Sequence, residues 1–455
     1  MESIKYLSPT GMLGGGFTEA YFQAALQPGL AFIGCDSGSC DGGPSYLGAN
    51  NFFQSRATIK RDLRLLLIGA RSLDIPLLIG SCGGSGGDWN LNWTREILLE
   101  IAREEDLHFK VALIRSEPSR EALVAKLNAG LIHGLDPAPE LNETVLREAD
   151  HIVAMAGAEA FLAALEGGAD VVLCGRATDA SIFAAIPLRE GFDPGLCWHA
   201  AKILECGGAA VTAMDRPEGM LCTIDKDRFV VEPVSPEQRC STVSVASHAL
   251  YETGDPFLMK EPGGVLDLTH ARYEQVDDRR VAVNGSTFRK QPYTVRLEGA
   301  KLAGYQAMTI GGIRDPVLLA RFDSWLEEVI ESISEGVERQ FGQKLDQDYE
   351  LIFRAYGRDG VLGPREPLRQ QIGHEIGLMM TVLAKTQEMA SAITNYAGHR
   401  ALHHAVPEWS GLVSNLAFPL SPHVVALGPA YRFTLNHVAE LSDPMELFDL
   451  SYETV

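Results

Sequence analysis

The chain has 455 residues, 46% of them hydrophobic, and a formal net charge of −21. That length exceeds what one hydrophobic core usually supports, so two domains are expected. The acidic balance speaks against nucleic acid, which needs clustered Lys and Arg, and equally against an anionic membrane surface.

No apolar run approaches the roughly 20 residues of a membrane span. Met1-Glu2-Ser3-Ile4-Lys5 shows no basic stretch leading into an apolar one, so no signal peptide is read and a cytoplasmic protein is expected. None of the eight cysteines forms a CxxC pair, and free thiols are expected.

Taken in chain order, Ile4–Ser8 reads as a strand running into Pro9-Thr10-Gly11-Met12-Leu13-Gly14-Gly15-Gly16. Leu30–Gly34 runs into Cys35-Asp36-Ser37-Gly38-Ser39-Cys40-Asp41-Gly42-Gly43-Pro44, and Pro76–Gly80 into Ser81-Cys82-Gly83-Gly84-Ser85-Gly86-Gly87-Asp88. Phe109–Ile114, His151–Ala156 and Asp170–Cys174 repeat the pattern, the last entering Gly175-Arg176-Ala177-Thr178-Asp179. Helical patterning lies between them at Ala20–Ala25, Ile59–Leu73, Thr94–Glu105, Arg120–Ala129, Ala158–Glu166 and Ala177–Arg189, with Thr94 and Ser119 as expected N-caps. This alternation predicts an α/β fold with a mostly parallel, doubly wound sheet. A barrel is the alternative, and about six strands before the pattern changes favour the open sheet.

From about residue 216 to 300 the chain is rich in β-branched residues and turns, a β-rich extension of a first domain over 1–300. Residues 301–455 differ. Tyr305–Gly311 reads as a strand, and Asp315-Pro316 caps a helix to about Phe341. Tyr349–Tyr356 and Ile376–Ala384 are strands, Thr386 caps a helix to about His404, and a last strand lies near Arg432–Leu435. This β-α-β-β-α-β order predicts a smaller α+β, ferredoxin-like domain.

Loops at the carboxyl ends of parallel strands converge on one crevice, so their polar residues are expected to be neighbours. Gly14 and Gly15, and Gly83, Gly84 and Ser85, offer backbone N–H groups to a phosphate or carboxylate; tight turns needing positive φ are the alternative. Neither loop is a GxGxxG, and no Walker lysine follows. Asp36 and Asp88 end such segments and suit general acid–base work or ligation of a metal by oxygen, although Asp also caps and turns. Glu205, on a following helix, joins them as a catalytic candidate. A divalent metal among Asp36, Asp41 and Asp88 stays open, and no other cofactor is assigned. Arg176 suits two-point contact with a carboxylate or phosphate, or a salt bridge to a loop aspartate. Ser37, Ser39, Ser81, Thr178 and Asp179 complete the expected substrate contacts. Cys35, Cys82 and Cys174 fall at strand ends, where a nucleophile would need a base such as His199; a small buried Cys is more often packing. His399 and His403 have a metal-compatible i, i+4 spacing but no H-E-x-x-H arrangement, which reads as a solvated helix end.

Several of these stretches, with others, resemble the acyclic terpene utilisation family AtuA. They are Cys35–Pro44, Gly175–Asp179, Lys202-Ile203-Leu204-Glu205-Cys206-Gly207, Glu261-Pro262-Gly263-Gly264 and Tyr293–Ala300, in that order. The resemblance implies an enzyme, or enzyme component, of small-acid or acyl-CoA breakdown. The loop Asp-Ser-Gly-Ser-Cys-Asp-Gly-Gly-Pro at 36–44 implies a branch distinct from the terpene-pathway members. The expectation is a catabolic enzyme of hydratase, lyase or isomerase type, acting on a small carboxylate or acyl-CoA thioester. A hydrolase using Ser81 or a loop Cys, and a non-catalytic ligand-binding or assembly subunit, are the alternatives. A homo-oligomer is expected, with a small protein partner left open.

Overall fold

The computed structural model describes residues 2–213, 216, 218–407 and 414–455. It divides into two compact units, Met1–Lys301 with Phe433–Val455, and Leu302–Arg432. The strands in chain order are β1 (Ser3–Ser8), β2 (Leu30–Asp36), β3 (Leu77–Gly80), β4 (Lys110–Arg115), β5 (Ile132–Gly134), β6 (His151–Ala154), β7 (Val171–Cys174), β8 (Met220–Asp225), β9 (Phe229–Pro233) and β10 (Leu258–Glu261). They continue with β11 (Gly264–Asp267), β12 (Arg272–Gln275), β13 (Val281–Asn284), β14 (Thr287–Lys290), β15 (Thr294–Ile313), β16 (Tyr349–Tyr356), β17 (Ile376–Ala384), β18 (Val425–Glu440) and β19 (Asp449–Thr454).

In the first unit one open sheet has the order β12-β13-β9-β8-β1-β2-β3-β7-β4-β19. The central strands β1, β2, β3, β7 and β4 are mutually parallel. Those flanking them pair antiparallel. The α/β expectation holds, but "mostly parallel" becomes a mixed sheet with a parallel core, and the barrel is set aside. The reason lies in connection length, since a parallel crossover needs a dozen or more residues. Between β8 and β9 there is only a turn, in which Asp225 Oδ1 accepts the N–H groups of Asp227 and Arg228. Such a turn allows only a hairpin.

Side chains along the core strands alternate between two apolar layers, as strand geometry requires. Phe32, Val172 and Cys174 face a layer with Phe161, Phe183 and Trp198. Ile33, Val171 and Leu173 face another with Leu63, Leu67, Ile97 and Leu98. β3 and β7 are buried along their whole length, which is why they read as unbroken apolar runs. Ser119 caps its helix as expected, accepting from Ala122 N. Thr94 does not cap: that helix begins at Asp88, and Thr94 Oγ1 donates back to Asn90 O within it.

A small antiparallel sheet, β10-β11-β14, and the pairing of β6 with Leu297–Ala300 of β15 complete the first unit's walls. The second unit is a separate antiparallel sheet, β16-β17-β15-β18 in order. Helices Phe322–Phe341 and Gln387–His403 accompany it. Asp315 accepts from Val317 N and Leu318 N, and Thr386 from Met389 N, but the helix that Asp315 caps is the short Pro316–Ala320, and a break at Arg321 separates it from Phe322–Phe341 where one helix was expected. Among the described residues no helix is long and apolar enough to cross a membrane.

Leu173 lies on β7, the strand inserted between β3 and β4, and is fully buried. Leu173→Ala is expected to lower the unfolding free energy of the first unit by about 2–5 kcal/mol. Urea denaturation followed by circular dichroism measures it.

Candidate functional site

Parallel pairing sets the carboxyl ends of β2, β3 and β7 side by side, with Asp36 opposite Gly80 and Leu173 opposite Ile79. Arg176, two residues beyond β7 and only 3% exposed, ties their loops together. Its Nε donates to Glu298 Oε2 at 2.9 Å. Its Nη1 lies 3.0 Å from Ser81 Oγ, 3.1 Å from Ala177 O and 3.4 Å from Gly38 O. The backbone joins in: Arg176 N donates to Gly86 O at 3.0 Å, and Ser116 Oγ, beyond β4, donates to Arg176 O at 2.9 Å. Burial opposes both charges of the Arg176–Glu298 pair. Their attraction prevails, holding Glu298 below the usual carboxylate range and Arg176 above its own.

Around this knot lies a group of acids. Asp36, 5% exposed, ends β2 and accepts from Gly38 N at 2.8 Å through Oδ2, while its buried Oδ1 has no hydrogen-bond partner. Asp179 opens the helix Asp179–Arg189, and its buried Oδ1 makes no hydrogen bond but lies 3.5 Å from Arg176 Nη1 as an ion pair. Burial and then the charge of Asp179 raise the Asp36 carboxyl well above its ordinary value. Asp179 is pushed up to about 6 by burial, with Arg176 opposing and Glu252 adding to the rise. Its side chain keeps 29% of its surface open.

Glu205, just past the helix Pro194–Leu204, is ion-paired with Lys202. Burial pushes Glu205 up to about 8 in spite of Lys202. Burial works to lower Lys202, but Glu205 overrides it and raises the ammonium. Glu261, closing β10, is also pushed up to about 8 by burial, with Lys202 and a hydrogen bond from Thr178 opposing and Asp179 adding. Asp36, Arg176, Thr178, Asp179 and Glu205 are therefore brought to one edge of the sheet. Glu261, Lys202 and Glu298 join them without having been singled out from the sequence as site residues. Their only signal was that each falls within one of the family-like stretches.

The other expected site residues lie elsewhere or are otherwise engaged. The N–H groups of Gly14 and Gly16 both donate to Asp62 Oδ2 at 2.9 Å, so the loop holding Gly14 and Gly15 cradles a carboxylate of its own chain. In the second glycine loop, Ser85 Oγ donates to Asn90 Oδ1 at 3.2 Å and Asn90 Nδ2 to Gly83 O at 3.3 Å. A Cβ on Gly84 would come within 2.6 Å of the Phe53 ring, so close packing requires that glycine. Ser81 is buried at φ 48°, its hydroxyl facing Arg176. Ser39 Oγ accepts from Asp41 N, and the buried Ser37 Oγ has no partner.

Asp88 stands apart from Asp36. It lies 3.7 Å from Arg115 Nη1, and burial and then Glu117 raise its carboxyl. Glu117 in turn accepts from Asp88 N at 2.8 Å and meets His151 Nδ1 at 3.0 Å. The loop thiols Cys35, Cys82 and Cys174 are all pushed up by burial, which keeps them protonated. His199 is bonded to Ser286 Oγ and Tyr273 OH rather than to a cysteine. Among the described residues no three His, Cys, Asp or Glu side chains are grouped to hold a metal ion.

Removing the guanidinium would leave buried Glu298 with only the half-exposed Arg296, 3.8 Å away, as a counter-charge. Arg176→Ala is expected to cost about 3–5 kcal/mol of stability. Arg176→Lys should recover little of it, because one ammonium cannot reproduce the forked contacts to Glu298 and Ser81. Thermal melting of the two variants checks this.

No curated protein and no solved structure matches the chain. Residues 84–411, more than half of the chain, match the family described as acyclic terpene utilisation family protein AtuA. The stretch includes Arg176, Asp179, Lys202, Glu205, Glu261 and Glu298, while Asp36 and both loops before residue 84 lie outside it. The chain belongs to the AtuA family.

Proposed function

We propose that the first unit is an enzyme that moves a proton next to a carbonyl group, a reaction of hydratase, lyase or isomerase type. Its substrate would be a small acid carried as a thioester, or another neutral carbonyl compound. One observation carries this reading. Burial raises the carboxyls of one cluster unevenly, Asp179 to about 6 and both Glu205 and Glu261 to about 8. A site of this kind has a base and an acid ready at the same pH.

Asp179, partly open to the surface and largely ionised at pH 7, takes the proton from the carbon beside the carbonyl. The Asp36 carboxyl, with its unpartnered Oδ1 and raised by the charge of Asp179, suits two carboxyls holding one proton between them. Neutral Glu205 or Glu261 donates a hydrogen bond to the carbonyl oxygen as negative charge develops there. Return of the proton to a neighbouring carbon completes an isomerisation; departure of a group from that carbon completes an elimination. Arg176 is a positioning residue in this scheme, since its Nε and Nη1 are already engaged by Glu298, Ser81, Ala177 and Gly38. The balance of charge favours a neutral thioester over a free carboxylate, because the two cations Arg176 and Lys202 are already offset by the ionised Glu298 and Asp179.

A Ser or Cys hydrolase has less support. Ser81 Oγ is held by a guanidinium, which is no base, and the loop thiols are raised by burial. A non-catalytic assembly role is favoured only by the second unit, whose β-α-β-β-α-β order and β16-β17-β15-β18 sheet suit the ferredoxin-like reading.

Proton exchange at the α-carbon of an acyl thioester in deuterated buffer, followed by NMR, tests the proposal. The rate should rise as Asp179 ionises through pH 6 and fall as Glu205 and Glu261 lose their protons through pH 8. Asp179→Asn should remove the exchange, and Glu205→Gln should slow it by about 10²-fold or more. Unchanged exchange in both variants would overturn the assignment.

A second consequence concerns stability. Glu261 has a folded-state value above its unfolded one, so the folded state binds the extra proton between about pH 4.5 and 8. Stability from this group is therefore lost as pH rises through that window. Glu261→Gln should melt near the wild type at pH 4.5 and several degrees above it at pH 8.5, as scanning calorimetry would record.

A further inference from the structure

The sheet of the second unit ends on β16, and among the described residues no other strand pairs with its outer side. β16 has eight residues, against three to six in the other strands that end a sheet. An open edge invites another chain, and proteins usually blunt it with a short strand, a bulge, a proline or a lysine. β16 has none of these: its register with β17 is unbroken, and Tyr349–Tyr356 contains neither Pro nor Lys.

The backbone groups along that edge are met only near its ends. Tyr349 is bridged to Leu345, and Tyr349 O accepts from Asp346 N at 2.9 Å. Ala355 O accepts from the N–H groups of Arg358, Asp359 and Gly360. Hydrogen-bonding direction alternates along a strand, so Leu351 and Phe353, in step with Tyr349, turn their N–H and C=O outward. Side chains alternate as well. Tyr349 and Ala355 lie in the core of the second unit with Trp325 and Leu378, and Leu351 and Phe353 pack against it. Glu350, Ile352, Arg354 and Tyr356 take the other face, where Ile352 is 39% and Tyr356 43% exposed.

We propose that β16 pairs antiparallel with β16 of a second copy of this chain, making a two-fold dimer through the second unit. The segment is its own complement when Ile352 sits on the axis. Leu351 then lies opposite the partner's Phe353, and the two exchange N–H and C=O bonds. Glu350 lies opposite the partner's Arg354, and Arg354 opposite the partner's Glu350, so unlike charges meet on both sides of the axis. Arg354 has no ion pair among the described residues. Glu350 meets Arg432 of its own chain through Oε2, which leaves Oε1 for the partner. A slip of one residue in either direction would lose both charge pairs.

Sedimentation velocity on the full chain, from about 1 to 100 μM, tests it. The wild type should become dimeric as concentration rises. Ile352→Lys, which brings two ammonium groups together on the axis, should stay monomeric. Arg354→Glu, which sets like charges opposite each other, should raise the dissociation constant by about tenfold or more. Exchanging the charges within one chain, Glu350→Arg with Arg354→Glu, should restore the dimer, with the exposed Arg432 turning into solvent. Circular dichroism checks the folding of each variant; should Ile352→Lys not fold, the charge variants decide. A wild type that stays monomeric overturns the proposal and leaves the edge to a strand of another protein. A dimer indifferent to Ile352→Lys and Arg354→Glu lies elsewhere on the molecule and overturns it as well, as does a charge exchange that fails to restore what Arg354→Glu removes.

Discussion

The buried pair of Arg176 and Glu298 is the constraint on which the carboxyl edge of the sheet depends. A guanidinium at 3% exposure is tolerable only when its donors are met. Here Nε and Nη1 are met by a β15 carboxylate, a hydroxyl beyond β3 and carbonyls beyond β2 and β7. Each of these partners belongs to a different segment. Satisfying one side chain therefore sets the mutual positions of several loops, and a helix such as Asp179–Arg189 begins from a fixed point. Side chains held this way lose little freedom when a ligand arrives, which is the physical meaning of a preorganised site.

Crowding acids around that cation has a second effect. Asp36, Asp179, Glu205, Glu261 and Glu298 share the buried Arg176 and Lys202, with Arg296 reaching Glu298 from the surface, and burial makes full ionisation of all five costly. The site resolves this unevenly. Glu298, in direct contact with the guanidinium, stays ionised; Glu261, held by a hydroxyl rather than a cation, keeps its proton near neutrality. Similar residue types thus acquire opposite roles from their surroundings alone.

How much of this was legible follows from the range of each signal. Apolar runs ending in Gly-rich loops are local, so β1, β2, β3, β4 and β7 and the convergence of Asp36, Arg176 and Asp179 could be read directly. Glu261 could not, because one glutamate before a Pro-Gly-Gly turn looks like any hairpin acid, and its neighbours Thr178 and Lys202 lie far away in the chain. Asp62 sits in an amphipathic helix among Lys60, Arg61 and Arg64, where an acid reads as part of a solvated face. β19 has mixed polarity, as an edge strand does, so nothing local told that Asp449–Thr454 pairs with β4. The helix start at Asp88 was misplaced because Gly87 supplies no side-chain cap, whereas Thr94 looked like one.

The carboxylate of Asp62 in the first glycine loop has a meaning in terms of competition. A ligand group tethered to its own site is present at the effective concentration set by the chain, which for short tethers reaches millimolar levels and is higher still in a packed core. An external phosphate or acid must displace that resident carboxylate before it can use the N–H groups of Gly14 and Gly16. The loop thus has the form of an anion receptor whose vacancy has been closed from within. Its affinity goes into binding the helix Arg56–Ser72 to the sheet, leaving recognition of soluble anions to other parts of the molecule.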